Sequence, residues 1–554
     1  LQELHSLAAM TAERLYAKQL PTHYGILAYH YEKAHQLGHA TAVESARHYL
    51  RKAGFQAWDN FENTAAESYF SRALALTPSN ETRTRYELHL AREKVYDRQG
   101  NRAAQQTDLK ELVRLANSLA LTEQITINLR QAHYANMTSD YAHAINWSQT
   151  AVEQAIKGNS LEKAVTGYQA WSEALWQQGN YPAAQTQLQT GLQWASRLGI
   201  RQGIADCLNS LGIVAKNQGN FADAIAYYEQ ALAVRRELAD QYGEAQTLNN
   251  IGIVTWQQGD YARTVTYLTK ALIIWRAIGD RRGVGITLNN LGLLLDNQGD
   301  YVEASAHYEQ ALAIHREVGD RRGEGITLGN LGLMACNQGD YVKTASYYDQ
   351  ALTIRREIGD RGGEGITLGN LGLVAYNQGD YAKAAGYYKQ ALAIRYEIGD
   401  QRGKGICLSA LGAVAIAQEQ MPLAANYFQQ SLAIRQELGQ SQSIVEDWAG
   451  LAKVALAQGD LTGSREYAQQ ILEYLKKNPR LTGVENIMRT FWLTWEVLGA
   501  LGQTVDTRRV LSLAVQIIQS YLDKNPDPAG QTMYLAQPYH HRLWTAWQSA
   551  QSQP

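Results

Sequence analysis

The chain has 554 residues, with 51 Lys and Arg against 53 Asp and Glu. A formal net charge of −2 leaves no basic field with which to compete for phosphates, which sets nucleic acid aside as a general partner. Apolar residues at 45% and charged residues at 19% are the balance of a folded chain rather than a disordered one.

Cys207, Cys336 and Cys407 stand far apart inside helical patterns, so the sequence offers neither a disulfide framework nor a CxxC clip, and a reducing cytoplasmic compartment suits it. The most apolar stretch, residues 406–417, is shorter than the roughly 18 to 20 residues of a membrane span, and no export signal opens the chain. No membrane partner is expected. The first residue is Leu1 rather than Met, so the chain reads as a piece of a longer polypeptide with an effector domain upstream.

Residues 1 to about 22 form a helical pattern whose partner is expected upstream. Helical patterns then drift as far as residue 160, with one recognisable unit around Ala53-Gly54, Ala66, Phe70, Ala73 and Pro78. From 161 to 480 the chain repeats itself every forty residues. Segments 281–320, 321–360 and 361–400 align without a gap, and the last two differ at only nine positions. The same frame covers 201–240, 241–280 and 401–440 with more drift, and 161–200 and 441–480 more weakly. A fixed period over eight units predicts a solenoid.

Within the unit 361–400, Ile366, Leu368, Leu371, Val374 and Ala375 recur at helical spacing until Asn377-Gln-Gly-Asp380 breaks the pattern. From Tyr381 the period resumes through Ala384, Ala385, Tyr388, Ala391, Leu392 and Ile394, and Gly399 stops it, with Asp400 placed to cap the next helix. Each unit is therefore a helix A and a helix B, and no unit carries a strand pattern. After Leu481 the punctuation fades, Trp492, Trp495, Trp544 and Trp547 accumulate, and Asn525-Pro-Asp-Pro528 interrupts the helices, as in a region that closes the last apolar face. The expected divisions are 1–160, 161–480 and 481–554.

No phosphate loop, HExxH, CxxC or GxSxG occurs in a usable context, so no catalytic residue and no cofactor is assigned. The recurring GDRRGE is expected to be a solvated turn. His540 and His541 point about 100° apart on a helix, without acidic or thiol neighbours, which argues against a metal.

The candidate binding residues lie on helix A. Asn250, Asn290, Asn330 and Asn370 recur once per unit, with Asn249 and Asn289 beside two of them. Three and seven residues on come Ile253/Gln257, Leu293/Asn297, Leu333/Asn337 and Leu373/Asn377, so a groove of apolar floor and amide edges is expected. An amide both donates and accepts, which suits an extended peptide main chain. The same asparagines also suit bonding to neighbouring helices, or a relic of duplication, whereas Asn337 and Asn377 suit the turn. One position varies between units: Lys216, Trp256, Asp296, Cys336, Tyr376, Ile416. Of these, Trp256 and Tyr376 are the expected ligand contacts.

The positions Leu371-Gly372, Ala384, Tyr388 and Ala391 resemble the tetratricopeptide repeat, in which small residues let helices A and B approach and an aromatic ring fills the gap. The resemblance implies an all-α, right-handed tetratricopeptide superhelix of about a dozen helix pairs. The usual proline is absent, and each unit exceeds the family's roughly 34 residues by about six. The phrase GDRRGEGITLGNLG is similar to arrays of the Leu-Gly-Asn spindle-orientation adaptors and, less closely, of kinesin light chains and bacterial peptide-pheromone receptors, which bind peptides. Leu20-PTHYGILAYHYEKA-His35 and Tyr49-LRKAG-Phe55 resemble the segment after the ATPase module of bacterial STAND or AAA signalling proteins, and Tyr539-HHRLWTAW-Gln548 resembles their terminus. These likenesses imply a peptide- or protein-binding sensor region. The rival reading is a structural or oligomerisation scaffold with no dedicated ligand.

Overall fold

The computed structural model describes residues 2–551 apart from 18, 61, 439–441, 482, 483, 485 and 525–527. The interruption expected at residues 525–527, and the unit boundary at 440/441, lie outside the described residues. Among the described residues there are 28 α-helices, one short 3-10 turn at Leu20–His23, and no strand. The helices follow one another as antiparallel A and B pairs. Helices A begin at Ala42, Thr82, Leu121 and Leu161 as well as at Arg201, Gln241, Arg281, Arg321, Arg361 and Gln401. The forty-residue step therefore reaches back into the divergent first third of the chain.

Punctuation residues set the helix ends. The Asp320 carboxylate accepts from the Gly323 amide at 3.0 Å at the start of one helix A, and Asp340 accepts from the Lys343 amide at 3.0 Å at the start of the following helix B. Gly319 (φ 68°) and Gly339 (φ 81°) close the helices before them in the left-handed region. Three units place other residues there: Ser139 at φ 63° and Asn159 at φ 53° in one, Ala239 at φ 53° and Glu419 at φ 59° in two others.

Helix A meets helix B through a glycine against a ring, as the tetratricopeptide resemblance implies. A Cβ on Gly292, Gly332 or Gly372 would lie within 2.8 Å of the Tyr308, Tyr348 or Tyr388 ring. Tyr308 and Tyr348 are buried, and Ala304, Ala311, Ala351, Ala384 and Ala391 have no exposed surface. Between several units, a buried arginine ties helix B to the next helix A. Arg355 donates to the Gly363 carbonyl and the Thr367 hydroxyl, both at 2.6 Å, and Arg235 does the same to Gly243 (2.5 Å) and Thr247 (2.6 Å).

Two expectations need correcting. Glu324 of the GDRRGE turn and Glu364 of its counterpart GDRGGE are buried rather than solvated. Glu324 holds Arg316 at 2.8 Å and Arg321 at 2.5 Å, and Glu364 holds Arg356 at 2.8 Å and also Arg361, because a carboxylate removed from water needs charged partners. The first helix, Gln2–Leu15, finds its partner downstream: Ala9 is buried with Leu27 and Ala28 of Tyr24–Gln36.

The solenoid also touches itself across a superhelical turn. The Gly362 amide donates to the Ser139 hydroxyl at 3.0 Å, 223 residues away. Asn63 donates to the Val318 carbonyl at 3.0 Å, the Arg322 guanidinium meets the Met137 sulfur at 3.0 Å, and Gly399 sits against Gln178. Turns within early units thus rest on turns between units five to six repeats later.

Candidate binding surface

The asparagine row is a chain of clasps. The Asn250 Nδ2 donates to Asn209 Oδ1, Asn290 to Asn249, and Asn330 to Asn289, each at 3.0 Å and each 41 residues apart. One A helix holds the next by a side-chain amide. Asn249 and Asn289, expected on the groove surface, are buried at 7% and 6% exposure as the acceptors of these bonds. Asn250, Asn290, Asn330 and Asn370 are half-buried. A clasp uses one N–H of the donor residue, whose carbonyl and second N–H remain. The series stops where Gly329 and Gly369 replace the acceptor. Arg355 fills the space beside Gly329.

The variable position runs along the last turns of the A helices. Trp256 is half-buried. Lys216 lies near Arg402, and burial together with that second cation lowers its pKa. Asp296, Cys336 and Tyr376 are buried, because the last helices of the chain lie over this part of the row.

Helix Ile487–Ala500 packs on the last pair of the array, with Phe491, Val497 and Leu498 against Val445, Ala449 and Ile471. The chain then runs back along the array. Tyr521, at the end of Thr504–Lys524, meets Tyr301 hydroxyl to hydroxyl at 2.8 Å. Met533 of Pro528–Ala536 lies against Gly339, and the Gln537 amide donates to the Asn337 carbonyl at 2.8 Å. Tyr539 of Pro538–Gln551 meets Tyr376 hydroxyl to hydroxyl at 2.5 Å, with the rings stacked. Tyr376 is therefore held by the chain's own C-terminal helix and is not an open contact for a ligand.

Asp296 is the chemically unusual member of the row. It is 5% exposed, Asn337 lies near it, and its Oδ1 has no partner. Burial raises its pKa to about 7. His540 packs its edge on Tyr534 and is shifted the other way, to about 4, also by burial. Sequence reasoning put Asp296 in the row without singling it out, although an acid among Trp, Cys, Tyr and Ile was a legible anomaly. It missed Tyr301, the first residue of a helix B, whose counterparts Tyr341 and Tyr381 recur at the forty-residue step.

The tetratricopeptide repeat family matches residues 164–237, 243–317 and 324–397, three successive double units, and this central array belongs to that family. The described residues form an all-α solenoid, with tetratricopeptide repeats across its central array. No curated protein sequence matches it. Among solved structures, a Rap protein complexed with competence and sporulation factor is 15% identical, covering 64% of this chain and 98% of that one, with a TM-score of 0.46. The apo quorum sensor NprR from B. thuringiensis is 15% identical over 64% of this chain and 99% of its own, with a TM-score of 0.42. A signal transduction ATPase with numerous domains from Pyrococcus horikoshii, bearing a tetratricopeptide repeat sensor, is 18% identical over 83% and 73%, with a TM-score of 0.42. No helix among the described residues is long and apolar enough to cross a membrane.

Proposed function

We propose that this chain is a non-catalytic, cytoplasmic protein- or peptide-binding region of a larger signalling regulator, capturing a segment along its A helices and relaying occupancy to an effector domain. The observation that carries this reading is the row of half-buried Asn250, Asn290, Asn330 and Asn370, which offers hydrogen-bonding groups once per unit beside the half-buried Trp256. Such a row matches the repetitive donors and acceptors of a polypeptide main chain. Asn370 is the residue on which to test it, since no second asparagine depends on it. Asn370→Ala is expected to leave melting nearly unchanged and to weaken binding of a captured protein segment about threefold to tenfold, the equivalent of one hydrogen bond of about 0.5–1.5 kcal/mol. Calorimetric titration of the segment into both proteins reads the difference. Unchanged affinity would take the amide row out of the mechanism.

A second reading, a scaffold whose groove is filled from within, is favoured by one observation: the C-terminal helices already lie on Tyr301, Asn337 and Tyr376.

A further inference from the structure

We propose that the surface formed by the last turns of Arg281–Gln298, Arg321–Asn337 and Arg361–Asn377, with Tyr301 beside them, is a docking site for a helical, tyrosine-bearing protein segment, and that the chain's own Tyr521 and residues 528–551 are its exchangeable occupant. The proposal rests on the reading of the array as an interaction module. It adds where a partner binds, what kind of segment it presents, and what must leave first.

The path of the chain is the first ground. A cap that only closes a solenoid needs to touch the last unit, which helix Ile487–Ala500 already does. The following residues instead return to Tyr301, 220 residues back in sequence, and then advance unit by unit: Tyr521 on Tyr301, Met533 on Gly339, Gln537 on Asn337, Tyr539 on Tyr376. They track three successive repeats as a bound ligand would.

The chemistry of the contacts is the second ground. Two part-buried hydroxyl pairs and a solvent-exposed amide-to-carbonyl bond join the tail to the repeats, where Tyr539 alone adds apolar packing; Tyr534 and Leu543 are buried with the cap residue Phe491 instead. Within Pro538–Gln551 only Leu543 is fully buried. Contacts of this kind exchange readily for water, unlike the glycine-against-ring packing inside each unit. The third ground is what the covered surface contains. Asp296, near Tyr301, is 5% exposed with a carboxylate oxygen that has no partner. Leaving a buried acceptor unpaired opposes closure and would be relieved by exposure to water or by a partner bearing a donor.

The occupant defines the class of ligand. A segment whose helix breaks at an amide-bearing residue, with a tyrosine two residues on at the start of a second helix, reproduces Gln537 and Tyr539. As a tethered occupant it acts at an effective concentration of order millimolar, so an outside segment binds weakly until the tethered one is loosened.

The test uses the full chain and a fluorescent synthetic peptide of residues 528–551. In one variant the tethered segment alone is weakened by Tyr521→Phe, Gln537→Ala and Tyr539→Phe, which leaves the docking surface intact. The peptide is expected to bind this variant at least tenfold more tightly than the unaltered chain, by fluorescence anisotropy, and to lose that gain when Tyr376→Phe is added to the surface. Equal binding to both chains, or none to either, would overturn the proposal. Should the triple variant not fold by circular dichroism, Tyr539→Phe alone carries the same comparison. A chain that admits the peptide but captures no segment through Asn370 keeps this assignment and loses the amide reading; the opposite pair of results does the reverse.

Discussion

Gly332 and Tyr348 have no room for a methyl group between them: a Cβ on Gly332 would stand 2.6 Å from the ring. Gly332→Ala is expected to destabilise the chain by about 1–3 kcal/mol, seen as a lower melting temperature by circular dichroism. Asn290→Ala should be costly for another reason, because it leaves the buried Asn249 oxygen without its donor, a loss of about 1–3 kcal/mol. Asn370→Ala, outside the clasps, should not. Asp296 makes stability depend on pH. Its pKa is raised to about 7 in the folded chain against 3.8 for a free aspartate, so the folded state holds the proton more tightly, and this stabilisation, full below about pH 4, is lost as pH rises through 7. The polar groups facing it are Asn337, Tyr301, Tyr308 and Tyr348. His540, lowered to about 4, works in the opposite sense, losing stability as pH falls from 6.5 towards 4. Comparing Asp296→Asn with the unaltered chain isolates the first effect: the variant should melt higher at pH 8 and alike at pH 4. The glycine-ring pairs were legible in the sequence because one repeat contains both partners. The clasps were not, because a spacing of 41 rather than 40 depends on how successive A helices are staggered.

The helix ends follow a rule strict enough to expose its exceptions. Gly199, Gly279, Gly319, Gly359 and Gly399 close successive B helices at positive φ, and Ala239 holds the same place at φ 53°. Gly259, Gly299, Gly339 and Gly379 do so for A helices, where Glu419 substitutes at φ 59°. A side chain in the left-handed region costs roughly 1–2 kcal/mol, and glycine gives back part of that gain in backbone entropy. Ala239→Gly and Glu419→Gly are each expected to stabilise the chain by about 0.5–1 kcal/mol, measurable by urea unfolding with an unchanged m value. These elements were readable from Asp and Gly punctuation alone. The buried arginine series was not, because Arg235, Arg355, Arg395 and Arg435 look like surface charge until the turn beside them supplies carbonyls, and His315 and Trp275 interrupt the pattern.

Over the whole molecule, two sets of contacts depart from the nearest-neighbour character of a solenoid: the stacking of Ser139 on Gly362 and Gln178 on Gly399, and the return of the C-terminal helices to Tyr301 and Tyr376. Neither was legible in the repeat, since both depend on superhelical pitch and on a tail outside the period. The second bears on function, because it covers part of the row expected to meet a ligand. Amide hydrogen exchange on the unaltered chain, read by mass spectrometry, addresses it directly. If residues 528–551 are an exchangeable occupant, their amides open in a sub-global event of lower free energy than those of helix Ile444–Ala457, and Tyr376→Phe speeds the first set without changing the second. Exchange of both segments in one cooperative step, unaffected by Tyr376→Phe, would contradict the account.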